Sequence, residues 1–183
     1  GYQDNIALES WVITPPGFSV ILAPCVYFFG VNFKIMKLVN IIFWLFFVLI
    51  LGALARRRLG KRFGLLVAIV MLTSPYFFWF KQNILSDIPF LFFITAALFT
   101  LTKYFEEEDA SPNRVLLFSL SLFLMFGAYI IRPAAIVLFI SLIVYILVMK
   151  KDKRLIFPIL LTGLLAVFVN IKVGVNSFQH LIG

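Results

Sequence analysis

Reactive side chains are scarce in this sequence of 183 residues. The one cysteine, Cys25, excludes an internal disulfide and leaves the redox compartment undecided. The one histidine, His180, has no Cys, His or second acidic residue near it at metal-ligand spacing, so we interpret it as a polar residue of the C-terminal tail. The motifs G-x-G-x-x-G, G-x-x-x-x-G-K-[ST], H-E-x-x-H and G-x-S-x-G are absent. The sequence therefore carries none of these signatures of soluble enzymes.

Charged residues are also few, because they make up 13% of the chain while 63% of it is hydrophobic. A soluble globular domain carries about 25% charged residues, so the composition predicts a polytopic membrane protein. The net charge of +8 does not indicate nucleic-acid binding. The basic residues occur in short clusters between apolar runs, as is typical of cytoplasmic loops.

The apolar runs predict an all-α transmembrane bundle that forms one domain over residues 1–183. We expect an external loop with a short interfacial or re-entrant helix in 1–35, about six transmembrane helices in 36–173 and an external tail in 174–183. The run 17–30 is too short, and contains a proline, to cross a hydrocarbon core about 30 Å thick. The predicted spans are 36–55, 63–73 continued into the aromatic group 76–80, 89–105, two spans in 115–148 that meet at Arg132-Pro133, and 156–173.

The positions of the basic residues predict the orientation of the bundle. In the predicted topology eleven of the sixteen Lys and Arg residues are cytoplasmic. The other five are extracytoplasmic: Lys34, Lys37, Lys81, Arg132 and Lys172. The opposite orientation would invert this bias, so we expect the N-terminal loop and the start of the 89–105 span to face outward.

This topology gathers several polar features on the outer face. Asp87 is the one carboxylate within the apolar bulk of the chain, and a carboxylate at the centre of a spanning helix costs roughly 3 kcal/mol, which makes it a functional candidate. An Arg guanidinium fits phosphate in a bidentate manner and Lys offers a point charge. A carboxylate could act as a general base, hold a divalent metal ion or bind sugar hydroxyls. The gathered features are Asp4, Glu9, the Pro15-Pro16-Gly17 turn, Lys81, Asp87 and Arg132.

Each of these residues also has a structural interpretation, which the residues alone leave open. Ser86 or Asp87 could cap a helix N-terminus, with Pro89 tolerated in the first turn. Arg132 could extend its side chain to the head groups from a helix end. Lys81 directly follows the five aromatic residues 76–80, which are typical of a membrane interface, and could be an interfacial anchor. Asp4 and Glu9 could be solvated loop carboxylates.

The order of short motifs resembles a known family. The segment T-P-P-G-F-S-V-I-L-A-P-x-x-Y-F-F-G is followed by K-L-V-N, then R-x-x-G-K-R-F-G, S-P-Y, L-S-D-I-P-F and R-P. Together these motifs resemble the polytopic GT-C glycosyltransferases, above all the bacterial branch related to protein O-mannosyltransferases and the aminoarabinose transferases of lipid A. The resemblance extends over nearly the whole chain, although each motif is short.

The resemblance implies a polyprenyl-phosphate-linked sugar as donor. It also implies transfer to a glycan, lipid or protein acceptor at the extracytoplasmic face of the cytoplasmic membrane, usually with inversion. The pair Pro15-Pro16 matches the end of the family's first external loop, and Asp87 matches an acidic position beside the active site. On this basis Asp87 and Asp4 are the candidate catalytic residues. Arg132, Lys81, Pro15 and Pro16 are the candidate substrate-binding residues.

The chain departs from the family pattern in two respects. Thr14 stands where relatives often have Lys before the proline pair. The family's first helix and the acidic residue early in its first external loop should lie before residue 1, and Asp4 matches that residue only if the loop is unusually short. The C-terminal helices of the family also have no counterpart, so we expect an internal portion of a larger enzyme or an unusually small relative.

Two other classes of protein compete with a glycosyltransferase. A transporter or flippase module would need polar or broken helices near the bilayer midplane. The midspan polar residues here are mostly hydroxyls that can bond their own backbone, which disfavours transport. A non-catalytic structural subunit fits the composition but leaves the outward charges unexplained.

Overall fold

The computed structural model describes residues 16–75, 86–107, 112–149 and 153–182, with the side chains of 17–75, 86–107, 113–149 and 153–172. Asp4, Glu9, Pro15, Lys81 and the aromatic group 76–80 lie outside the described residues, and of Pro16 only the backbone is described.

The described residues are almost entirely helical, which confirms the predicted all-α fold class. Two short 3₁₀ segments, Pro133–Ala135 and Lys153–Leu155, precede the last two helices. The helices are α1 (Pro16–Phe29), α2 (Phe33–Leu59), α3 (Lys61–Thr73), α4 (Asp87–Glu106), α5 (Pro112–Ile131), α6 (Ile136–Val148) and α7 (Ile156–Ile182).

The expectation of about six spans is too high for the described residues. Four helices there are long and apolar enough to cross a bilayer, namely α2, α4, α5 and α7. The first part of the span predicted over 63–73 and continued into 76–80 falls in α3, whose 13 residues rise about 20 Å against a core of about 30 Å, and the continuation lies outside the described residues. The second half of 115–148 forms the 3₁₀ turn and α6, a shorter apolar helix over Pro133–Val148.

Charge contacts and ring contacts fix the relative directions of the helices. Phe43 of α2 packs against Phe92 of α4 with ring centroids 5.2 Å apart, and Arg57 at the end of α2 pairs with Glu106 at the end of α4. The two helices are therefore parallel. We call the end that contains the first turn of α4 the Asp87 end, and the end that contains the last turns of α2 and α4 the basic end.

Helix α5 runs antiparallel to α4. Near its start, Arg114 lies over the ring of Tyr104 at 4.8 Å, and just after its end Arg132 contacts Asp87. Helix α6 then returns toward the basic end, since the ring of Tyr145 lies 4.9 Å from that of Phe105. The predicted break of the long apolar run at Arg132-Pro133 is thus a reversal of chain direction at the Asp87 end.

Helix α1 crosses the Asp87 end of the bundle. Its first turn lies on the last turn of α5, where a Cβ built on Gly17 would come within 2.6 Å of the backbone of Ile130 and Ile131. Three residues separate its last residue from the start of α2, which also lies at the Asp87 end. Since both ends of α1 are on one side, this helix agrees with the predicted interfacial element and does not span the bundle.

The main core lies between α4, α5, α6 and α7. Its fully buried members include Ala97, Met125, Ala128, Ile146 and Ile159. Small residues on α4 and α5 let these two helices approach closely, as is common between helices in membranes. Many large apolar side chains elsewhere face outward, as expected of helices in lipid.

Candidate functional site

Asp87 and Arg132 form an ion pair at the Asp87 end of the bundle. Nη2 of Arg132 donates to Oδ2 of Asp87 at 2.7 Å, and Nε of the same guanidinium donates to Oγ of Ser86 at 3.3 Å. The two bonds come from two nitrogens of one planar group, so they restrict its orientation. Sequence analysis predicted that these two residues share a face of the membrane domain. In the structure they are in direct contact, although they are 45 positions apart in the chain.

Pro133 explains why Arg132 can reach across to α4. The residue before a proline is driven out of the helical region, and Arg132 has φ −146° and ψ 122°. Its N–H still bonds the carbonyl oxygen of Ala128 at 2.9 Å, so the residue is tied to the last turn of α5 while its side chain leaves the helix. The Arg-Pro dipeptide therefore ends α5 and presents the guanidinium at the same point.

Helix ends stabilise both charges of the pair. Asp87 is the first residue of α4, where the positive end of the helix dipole favours a carboxylate. Arg132 directly follows the last residue of α5, where the negative end of the dipole favours a cation. Because α4 and α5 are antiparallel, these two helix ends lie side by side.

The pair is half-buried rather than enclosed. The side chain of Asp87 is 30% exposed and that of Arg132 is 40% exposed. The guanidinium carbon of Arg132 also lies 5.8 Å from the centre of the Phe90 ring, which covers part of one guanidinium face. A ligand that approaches this end of the bundle can still reach both side chains.

The two structural alternatives can now be compared with the contacts. Ser86 stands at the N-cap of α4 but its side chain makes no capping hydrogen bond, and instead its hydroxyl accepts from Arg132. Arg132 is held by Ser86 and Asp87, a fixed position that a side chain merely extended into the head groups would not have. Sequence reasoning treated Ser86 only as a cap, and no pattern in the sequence signalled its bond to Arg132.

The start of α1 lies beside this ion pair. Gly17 contacts the backbone of Ile130 and Ile131, the two residues before Arg132. The described residues of the predicted Pro15-Pro16-Gly17 turn, Pro16 and Gly17, begin helix α1 and lie at the same end as Asp87 and Arg132. Pro15, Lys81 and Asp4 lie outside the described residues, so their roles stay predictions.

Two further expectations concern metal ions and transport. In the part of the chain that the structure describes, no group of three or more His, Cys, Asp or Glu side chains could hold a metal ion. Hydroxyls within the spans bond their own helix: Thr95 donates to the carbonyl oxygen of Leu91 at 2.7 Å, and Ser121 to that of Phe118 at 2.7 Å. These bonds agree with the prediction that midspan hydroxyls bond their own backbone.

The fold and the helix composition define a multi-pass membrane protein of the all-α class. Residues 14–173 match the family described as dolichyl-phosphate-mannose-protein mannosyltransferase. Because the match covers most of the chain, the protein belongs to this family of GT-C membrane glycosyltransferases, as the motif order predicted. No curated protein and no solved structure is significantly similar to the chain.

Proposed function

We propose that this chain carries part of the donor site of a glycosyltransferase that moves a sugar from a polyprenyl phosphate to an acceptor hydroxyl at the extracytoplasmic face of the cytoplasmic membrane. The observation that carries the proposal is the half-buried ion pair of Asp87 and Arg132, oriented by Ser86, at one end of the bundle. The family description, which names a dolichyl-phosphate-linked mannose, supports this class of donor.

Arg132 is the residue suited to the donor phosphate. A guanidinium has five N–H donors, and the two bonds to Asp87 and Ser86 use one on Nη2 and the one on Nε. Its position is already fixed, so little side-chain entropy is lost when a phosphate binds. When the sugar leaves the phosphate, negative charge increases on the phosphate oxygens, and a fixed cation stabilises that charge more than the ground state.

Asp87 has two possible roles that differ in their kinetic consequences. As a positioning residue it holds Arg132 against the donor phosphate. As a catalytic base, the role predicted from the sequence, it accepts the proton of the acceptor hydroxyl. The short bond from Arg132 to Asp87 favours the positioning role, because it commits one carboxylate oxygen to the guanidinium.

Transfer kinetics of Asp87→Asn in the full-length protein test the proposal. With radiolabelled dolichyl-phosphate mannose as donor, loss of positioning should lower kcat/KM about tenfold, through both kcat and KM, since a weakened charge-assisted bond is worth roughly 1.5 kcal/mol. A fall of about 100-fold or more in kcat at unchanged KM would assign Asp87 as the base.

A conservative variant serves as the control for this experiment. Asp87→Glu keeps a carboxylate on a longer side chain and should recover part of the donor affinity. Wild-type kinetics in Asp87→Asn would remove Asp87 from the site, and an undisturbed rate in Arg132→Gln as well would refute the proposed donor site.

A further inference from the structure

A cavity of about 280 Å³ lies in the bundle between α4, α5 and α6, away from the Asp87–Arg132 pair. Its lining includes Arg58, Phe105 and Tyr145 toward the basic end. Ala97, Met125 and Leu138 line it farther inside. Ala97 precedes Phe105 by eight residues on α4, so the cavity extends about 12 Å along this helix. The cavity is therefore polar and charged at one end and apolar at the other.

The charge at the mouth of the cavity is positive. Glu106 lies 3.1 Å from Nη2 of Arg57 but 3.8 Å from Nη2 of Arg58, so Arg57 is its closer partner. The side chain of Arg58 is 63% exposed and also lines the cavity. The last turn of α2 carries three consecutive arginines and the next helix begins with Lys61-Arg62. Among the described residues at this end, the carboxylates of Glu106 and Glu107 face the five basic side chains of 56–58, 61 and 62, so an anion is favoured there.

The shape and lining select the class of ligand. An apolar cavity without partner atoms forfeits dispersion contacts, so in a bilayer an alkyl chain is the natural filling. The volume suits part of one acyl chain rather than a whole lipid. The hydroxyl of Thr102 already donates to the carbonyl oxygen of Leu98 at 2.8 Å, and Ser141 lies one helical turn farther from the basic end than Tyr145, so Arg58 and Tyr145 are the polar residues placed to meet a head group.

We propose that this cavity binds an anionic glycerophospholipid from the leaflet at the basic end, with the phosphate at Arg58 and one acyl chain between α4 and α6. Basic pockets between transmembrane helices are a recurrent way to bind anionic head groups. The site lies at the opposite end of α4 from Arg132. It is distinct from the proposed donor site, and either proposal can fail without the other.

Photolabelling of the full-length protein tests the proposed lipid site. The protein is reconstituted in phosphatidylcholine nanodiscs that contain traces of phosphatidylglycerol or phosphatidylcholine with a photoreactive group on one acyl chain. We expect adducts on peptides from α4 and α6, with phosphatidylglycerol preferred about fivefold, the factor expected from one arginine near an anionic head group. Arg58→Gln should remove this preference.

Two variants separate the cavity from general surface charge and from misfolding. Arg56→Gln removes an equal charge from the same turn at an exposed position outside the cavity lining, and it should retain the preference. Ser141→Trp, at an exposed position of the lining, should fill the cavity and reduce labelling by both lipids. Thermal unfolding of each variant in detergent verifies that it is folded.

Four results would overturn the proposal. They are equal labelling by the two lipids, equal losses in Arg58→Gln and Arg56→Gln, displacement of the label by dolichyl phosphate at equimolar concentration, and crosslinks from the cavity to a second copy of the chain. The last two would assign the cavity to the donor lipid and to a protein interface, respectively.

Discussion

The two ends of α4 carry carboxylates in opposite electrostatic settings. Asp87 begins the helix, where the dipole favours a negative charge, and its close cation among the described residues is Arg132, at 2.7 Å. Glu106 ends the helix, where the dipole disfavours a negative charge, and it lies within 4 Å of two cations, Arg57 and Arg58. Asp87 therefore belongs to an oriented pair with one cation, whereas Glu106 lies among the consecutive arginines at the end of α2.

This difference predicts that the Asp87 end binds one specific ligand and that the basic end binds a class of ligands. At the Asp87 end a guanidinium is fixed by two bonds and by its extended backbone, so it can select one phosphate geometry. At the basic end the side chain of Arg58 is 63% exposed, against 40% for Arg132, and its nearest carboxylate oxygen is 3.8 Å away; long exposed side chains select charge rather than shape. Transfer chemistry fits the first arrangement, and anchoring to lipid head groups fits the second.

The largest effect should come from loss of the cation at the Asp87 end. Arg132→Gln removes a charge that stabilises the departing phosphate, and we expect mannosyl transfer from dolichyl-phosphate mannose to fall about 100-fold or more in kcat/KM. Arg58→Gln is the matched control at the basic end and should change kcat/KM by less than about twofold. Comparable losses in both variants would show that the two ends do not differ in function.

Gly17 should have the next largest effect, because it seats α1 on α5 beside Arg132. A Cβ there would overlap the backbone of Ile130 and Ile131, so we expect Gly17→Ala to lower the unfolding free energy by about 1–3 kcal/mol and to raise KM for the donor. Thermal unfolding in detergent and transfer kinetics measure the two effects.

Gly30 at the other end of α1 provides the control. It has φ +66°, and a Cβ there meets nothing within 4 Å in the part of the chain that the structure describes. Gly30→Ala should therefore cost only about 1 kcal/mol of backbone strain and leave KM unchanged. An unchanged KM in Gly17→Ala would mean that α1 does not support the site.

The smallest effect concerns the strength of the two ion pairs themselves. Double-mutant cycles with Asp87→Asn and Arg132→Gln, and with Arg57→Gln and Glu106→Gln, measure each coupling free energy from unfolding in detergent. We expect about 1 kcal/mol for the shorter, oriented pair and about 0.3 kcal/mol for Arg57 with Glu106, whose side chains are 40% and 42% exposed. The reverse order would contradict the comparison of the two ends.

Sequence reasoning anticipated features that depend on local chemistry. Arg132-Pro133 predicted the break between α5 and α6 because proline excludes a regular helix there, and the shortness of the run 17–30 predicted that α1 would not span. The motif order predicted the family. Within the described residues fewer spans are found than predicted, because hydropathy did not show where helices end: α3 stops at Thr73 and α6 covers 13 residues.

Features that depend on long-range packing were not readable from the chain. The bond between Arg132 and Ser86 joins residues 46 positions apart, and nothing local to either one predicts it. The role of Gly17 is visible only once Ile130 is placed against it, since the glycine itself has no side chain to signal a contact. The cavity at Arg58 likewise exists only where three helices and the end of a fourth meet.

The length of helix α1 sets the distance between two connections at the Asp87 end. Its 14 residues extend about 21 Å, from the contact of its first turn with the last turn of α5 to the three-residue link that precedes α2. Inserting one residue would turn everything beyond it by about 100° and lengthen the helix by about 1.5 Å. We therefore expect the family to vary the residues of this helix freely on its outer face while it keeps their number, because helical phase allows substitution there but not insertion.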